Sequence, residues 1–186
     1  MASFRDLDAD AWYHDGVHYC LDNGLMNGKS DTIFDPNGTT TRGQIVAILW
    51  RLEGQPKVGA ASYSDVTAGK YYTEAVAWAA ANGIVTGYAD GSFKPNAPIT
   101  REQMATILYR YCKYKGIDVS VGEETNILSY NDATSVAEYA VSALQWAVGA
   151  GVIQGKEGNI LEPVGTATRA QVATILMRFC VNIVKK

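Results

Sequence analysis

No stretch of this chain approaches the ~20 consecutive apolar residues of a membrane-spanning helix, so insertion into a bilayer is not expected. Positive charge is not in excess either. The 16 Lys and Arg against 19 Asp and Glu leave a net charge of -3, which removes the broad positive field that non-specific nucleic-acid binding needs. Any anionic ligand must therefore be held by local groups. The opening Met1-Ala2-Ser3-Phe4-Arg5-Asp6 lacks the apolar core of a signal peptide. Cysteine is scarce: Cys20, Cys112 and Cys180 are too few and too scattered for a disulfide framework, their odd number forbids complete internal pairing, and they read as three thiols on helices.

Metal chemistry is short of ligands in the same way. The only two histidines stand in His14-Asp15-Gly16-Val17-His18, an i, i+4 pair that mimics the zinc-protease helix motif. Asp15 is a methylene shorter than the required Glu, Gly16 weakens the helix, and there is no third His. Asp6-Leu7-Asp8-Ala9-Asp10 starts like a calcium loop but has Ala11 where Gly is required and Val17 where Glu is required. No metal and no cofactor is expected.

What the chain does contain is repetition. With 186 residues at 47% hydrophobic it can bury a substantial core, and three segments share one plan. Each opens with an aromatic, one residue and an Asp: Phe4-Arg5-Asp6, Tyr63-Ser64-Asp65, Tyr130-Asn131-Asp132. A helical stretch with apolar residues three or four apart follows and ends at Gly24, Gly83 or Gly151, where a left-handed cap belongs. A second glycine comes next, Gly28, Gly87 or Gly155, and then a loop of about a dozen residues with an apolar anchor, Phe34, Phe93 or Leu161. The second helix starts at Thr41-Arg42, Thr100-Arg101 or Thr168-Arg169. These features predict a mainly α protein of three helix-loop-helix repeats over 1–53, 63–115 and 130–184, with linkers at Gly54–Ser62 and Gly116–Ser129. One such unit buries little core alone, so the three are expected to pack their stripes together as a single pseudo-threefold body.

The helix-start motif is the informative one. Thr with Gln three residues on, as in Thr41/Gln44, Thr100/Gln103 and Thr168/Gln171, has the form of a capping box. The intervening Arg42, Arg101 and Arg169 are not explained by capping, because a cation in the first turn opposes the helix dipole. Two readings stand: a guanidinium beside free helix amides that receives a carboxylate or phosphate, or a structural pair with the opening Asp. Asp6, Asp65 and Asp132 are likewise either caps and turn braces or acceptors for sugar hydroxyls. Six or seven residues later stand Trp12, Tyr71 and Tyr139, either core rings or platforms for the apolar face of a sugar. A glycosidase would need one asymmetric pair of carboxylates. Triplication instead suits avidity, so the chain is read as non-catalytic.

The repeats resemble the S-layer homology (SLH) domain family, whose pattern runs from aromatic-x-Asp through Gly-Ile-x-x-Gly-Tyr-x-Asp-Gly-x-Phe-x-Pro to Thr-Arg-Ala-Glu. Repeat 2 keeps nearly all of it in Gly83-Ile84-Val85-Thr86-Gly87-Tyr88-Ala89-Asp90-Gly91-Ser92-Phe93-Lys94-Pro95, then Ile99-Thr100-Arg101. The resemblance implies a pseudo-trimeric, non-covalent anchor for exported proteins, extracellular and at the bacterial cell wall, normally fused to a larger exported protein of which this chain is a fragment. Its partner would be secondary cell-wall polysaccharide, often ending in pyruvylated N-acetylmannosamine, bound in inter-repeat grooves. It implies Arg42, Arg101 and Arg169 near the ketal carboxylate, Asp6, Asp65 and Asp132 near sugar hydroxyls, and close backbone approach at Gly28, Gly87 and Gly155. The competing reading is a structural assembly module of a surface complex without glycan. Departures at Gln44, Gln103 and Gln171 for Glu, and at Lys29 and Lys156 for the loop Tyr, predict grooves that are not equivalent.

Overall fold

The computed structural model describes residues 4–60 and 62–185; Met1-Ala2-Ser3, read above for a leader, lies outside them. Six α-helices stand among the described residues: α1 (His14–Asp22), α2 (Arg42–Leu52), α3 (Thr73–Ala81), α4 (Arg101–Lys115), α5 (Val141–Gly149) and α6 (Arg169–Arg178). The last runs on into a wider π turn, Phe179–Val184. The extended pieces among the described residues amount to isolated bridges.

Local chemistry sets both helix classes. At α2, α4 and α6 the hydroxyls of Thr41, Thr100 and Thr168 accept from the amides of Gln44, Gln103 and Gln171 at 3.3, 3.2 and 3.2 Å, and each Gln side chain returns to the cap amide. The first helices have no side-chain cap at Tyr13, Tyr72 or Ala140. They end at Gly24, Gly83 and Gly151, with φ of +64, +68 and +68°. The amides of Leu25, Ile84 and Val152 then reach back to the carbonyls of Cys20, Ala79 and Ala147 at 2.8 Å, satisfying last-turn acceptors.

The packing partners lie outside each repeat. α1 packs on α6, α3 on α2 and α5 on α4, so every first helix pairs with a second helix of another repeat. At the first of these contacts a Cβ on Gly16 would sit 2.7 Å from the Thr174 Cα, so glycine is what lets the two backbones close. The apolar stripes merge into one cluster that includes Val17, Leu49, Trp78, Leu108, Trp146 and Leu176.

Three bridges, Thr39 to Thr168, Thr41 to Pro98 and Thr100 to Thr166, join the segments before α2, α4 and α6 in a closed triangle. Each link is reinforced at a helix start. The amides of Arg42 and Gly43 donate to the Ala97 and Pro95 carbonyls, those of Arg101 and Glu102 to Gly165 and Pro163, and those of Arg169 and Ala170 to Gly38 and Pro36. The expectation of free helix amides for an anion is thereby corrected: the loop of another repeat uses them.

Cys20, Cys112 and Cys180 are buried, and no disulfide joins them among the described residues. Burial pushes Cys20 and Cys112 up to about 12, which keeps them protonated and inert at neutral pH. Among the described residues no group of three metal-ligating side chains gathers, and His18 pairs through Nδ1 with Asp22 at 2.7 Å.

Candidate functional site: three grooves between the repeats

The exchange of helix partners creates three clefts, each drawing on all three repeats. Groove 1 takes its loop and second helix from repeat 1, the guanidinium of Arg169 from repeat 3 and the ring of Tyr71 from repeat 2. In groove 2 the loop and helix of repeat 2 meet Arg42 and Tyr139. Groove 3 brings the loop and helix of repeat 3 together with Arg101 and Trp12. Their volumes are about 540, 290 and 200 Å³.

The inner wall of each groove is an arginine, and burial decides what it does. Arg42, Arg101 and Arg169 are 6, 4 and 5% exposed. Desolvation pulls each guanidinium pKa below the ordinary arginine value, opposed by nearby acidic and phenolic groups; arginine stays charged nonetheless. None ion-pairs directly with its opening Asp. Each Nε donates to the carbonyl of the loop's apolar anchor: Arg42 to Phe93 at 2.9 Å, Arg101 to Leu161 at 2.7 Å and Arg169 to Phe34 at 2.8 Å. The Phe93 and Phe34 rings lie beneath Arg42 and Arg169, 4.6 and 4.5 Å from the guanidinium carbon.

The opening aspartates serve the same loop. Asp6 accepts from the amides of Phe34 and Asp35, Asp65 from Phe93 and Lys94, and Asp132 from Leu161 and Glu162, at 2.6–2.9 Å. Burial works against the Asp6 charge, but these amides and Arg169 outweigh it and hold the carboxyl below the usual range. The braced residues Asp35, Lys94 and Glu162 have φ of +63, +57 and +52°, in the left-handed region. A doubly bonded carboxylate is what holds that strained turn. Of the two readings offered for the aspartates, the turn brace describes their contacts.

Gly28, Gly87 and Gly155 line grooves 1, 2 and 3 in that order. A Cβ at any of them would overlap the ring of Phe4, Tyr63 or Tyr130, so the close approach they permit is to the opening aromatic of their own repeat. The rim rings are not core residues: Trp12, Tyr71 and Tyr139 are 66, 56 and 51% exposed. Tyr71 Oη lies 3.4 Å from Thr41 Oγ1. Tyr139 donates to Glu102 Oε1 at 3.1 Å, and burial with that carboxylate pushes its phenol up to about 12.

One set of groove residues is missing from the sequence reading. Arg51, Arg110 and Arg178 line grooves 1, 2 and 3, each nine residues after its helix-start arginine. The signal was the shared offset. A charge late in a helix passes easily as dipole compensation or a solvated face.

The body is thus a set of triplicated helix pairs with a basic, ring-edged cleft at each seam. Residues 3–46, 62–105 and 129–173 match the S-layer homology domain, and the chain belongs to that family. It is 31% identical over 176 residues to an amylopullulanase of Thermoanaerobacterium thermosulfurigenes, covering 94% of this chain and 9% of that protein. The exoglucanase XynX of Acetivibrio thermocellus is also 31% identical over 176 residues, 94% of this chain and 16% of that protein. With the surface-layer 125 kDa protein of Lysinibacillus sphaericus the identity is 30% over 186 residues, 98% of this chain and 15% of that protein. The chain thus spans less than a fifth of each of these relatives. S-layer homology domains occur in S-layer and cell-surface proteins, where they are non-catalytic anchors to the cell wall, and the enzymes match over this region alone.

Proposed function

We propose that this chain is a non-covalent cell-wall anchor whose grooves bind secondary cell-wall polysaccharide through an anionic sugar, with a pyruvate ketal as the anion. The observation that carries this reading is the triplicated groove: a buried guanidinium, a second arginine and an exposed aromatic ring, each from a defined place in the repeat. Arg42, Arg101 and Arg169, with Arg110, Arg178 and Arg51, supply charge-assisted donors for a carboxylate. Tyr139, Trp12 and Tyr71 stack on the apolar face of the sugar. Gly87, Gly155 and Gly28 form the backbone floor. Asp65, Asp132 and Asp6 act through the loops they brace, an amendment to their expected place beside sugar hydroxyls. Similar sites on one rigid body raise retention on a repeating polymer through effective concentration. The location that follows is extracellular, at the wall, and the partner is the polysaccharide, with this chain fused to a larger exported protein.

The test is co-sedimentation with purified bacterial walls before and after chemical removal of the non-peptidoglycan polymer. The reading expects retention on intact walls and loss on stripped ones. Equal retention on both refutes it in favour of peptidoglycan or protein contacts.

A further inference from the structure

The first helices of the three repeats occupy equivalent places, but α1 alone carries imidazoles. His14 and His18 stand where α3 has Thr73 and Ala77 and α5 has Val141 and Gln145, so the pair lies outside the plan that the grooves share. Val17 and Cys20 turn one side of α1 to the core. His14, His18 and Asp22, four residues apart, form a separate stripe beside it. His14 is partly buried at the edge of the core, and the side chains of His18 and Asp22 are 50 and 59% exposed.

The stripe is a pair of nitrogen donors with an acid behind one of them. The ring centroids of His14 and His18 are 6.1 Å apart, with planes tilted by 41°. His18 Nδ1 lies 2.7 Å from Asp22 Oδ2. A carboxylate in that place favours the proton on Nδ1 and leaves the Nε2 lone pair outward, the tautomer that a metal-bound imidazole needs. His14 Nδ1 is buried with no hydrogen-bond partner among the described residues, so Nε2 is the nitrogen that His14 presents. Two imidazoles at i, i+4 on one helix face can share a cation. The helix that bears them is weakly supported by its own sequence: Tyr13 gives it no side-chain cap, Gly16 lies in its first turn and its last turn has no basic residue.

We propose that His14 and His18, with Asp22 orienting His18 from behind, bind one divalent transition-metal cation of the Ni²⁺, Cu²⁺ or Zn²⁺ class and that this cation clamps the start of α1. Neutral imidazole selects these ions over Ca²⁺ and Mg²⁺, which prefer oxygen ligands. Two protein ligands leave the other positions of the cation to water. The site is thus an open, reversible clamp, and the zinc-protease reading, which needs a third ligand and a Glu, is not restored by it. The expectation of no metal, drawn from the missing third histidine, is amended to that extent. A cation held by the folded helix adds to stability by mass action. The inference stands independently of what the grooves bind.

The experiment is titration of the full, metal-stripped chain with ZnCl₂, followed by long-range proton-nitrogen spectra of the imidazoles. His14 and His18 are the only histidines, so each signal belongs to one of two rings. Zinc is expected to move Nε2 of both rings together, to saturate at one cation per chain and to raise the melting temperature, while MgCl₂ and CaCl₂ leave both rings unmoved. This readout on the wild-type chain does not depend on how any variant folds. Asp22→Asn is expected to lower zinc affinity by about tenfold and to loosen the His18 tautomer, read from the same spectra. His14→Thr and His18→Gln introduce residues that other repeats hold at those places, Thr73 and Gln145. Each is expected to cost more affinity than Asp22→Asn and to abolish the rise in melting temperature. Absence of zinc binding, a response from one ring alone, binding that survives His14→Thr, or an equal response to MgCl₂ overturns the assignment.

Discussion

The inner and outer ends of each groove are built to different standards. At the inner end Arg42, Arg101 and Arg169 are at most 6% exposed and bonded to loop carbonyls. At the rim Trp12, Tyr71 and Tyr139 are more than half exposed, and their anchoring runs from a buried carboxylate at Tyr139 to a long hydroxyl contact at Tyr71. The frame is copied three times and the rim is not. The surface of a groove can therefore change at its rim without touching what holds the protein together.

The largest effect tests how far the frame depends on exchange. α3 and α4 of repeat 2 pack on α2 and α5, which belong to other repeats. Excised residues 63–115 are therefore expected not to fold, with no cooperative thermal transition by circular dichroism; a sharp melt of that fragment breaks the account. Next comes the contrast between arginines. Arg101→Ala removes two charged hydrogen bonds and leaves the Leu161 and Gln154 carbonyls behind, an expected loss of about 2–4 kcal/mol in denaturant unfolding. Arg42→Ala removes one such bond and is expected to lose about 1–2 kcal/mol. Equal losses would erase the structural distinction between the grooves.

A smaller effect is expected from pH. The folded-state pKa of Asp6 is depressed, so its contribution is fully present above the unfolded value of about 3.9 and is lost as pH falls through the folded value. Melting temperature should hold steady from neutral pH to about 5 and fall below about 4, with Asp6→Asn flattening part of that fall. The smallest effect on stability belongs to the rim: Tyr71→Ala and Trp12→Ala are expected to stay within about 0.5 kcal/mol. Their wall retention should drop nonetheless. A rim variant that unfolds the protein would collapse the comparison.

Much of the frame was legible because its chemistry is local. The capping boxes need only Thr and Gln three apart, and Gly24, Gly83 and Gly151 announce left-handed helix ends. The helix-start arginines stood out because they oppose the dipole. Their partners did not, because backbone carbonyls of another repeat leave no mark in side-chain spacing. The same limit hid the exchange: an apolar stripe on α1 shows that it is buried but not that α6 buries it. The aspartates were ambiguous for a related reason, since a carboxylate that braces a turn and one that meets a sugar look alike until the amides of Phe34 and Asp35 are seen pointing at Asp6. Before α5 the chain makes two short 3₁₀ turns, Ala133–Ser135 and Glu138–Ala140, where the other repeats have single hydrogen-bonded turns, and Tyr139, in the second of them, meets Glu102.

The most direct test of the grooves as the binding surface is amide chemical-shift mapping of the full chain with polysaccharide released from purified walls. Gly28, Gly87 and Gly155 line the grooves, whereas Gly24, Gly83 and Gly151 close the first helices with no neighbour within 4 Å of where a side chain would begin. Saturable shifts at the first three with the second three still is the predicted result. Shifts spread equally over both sets, or confined to residues outside the grooves, would contradict it.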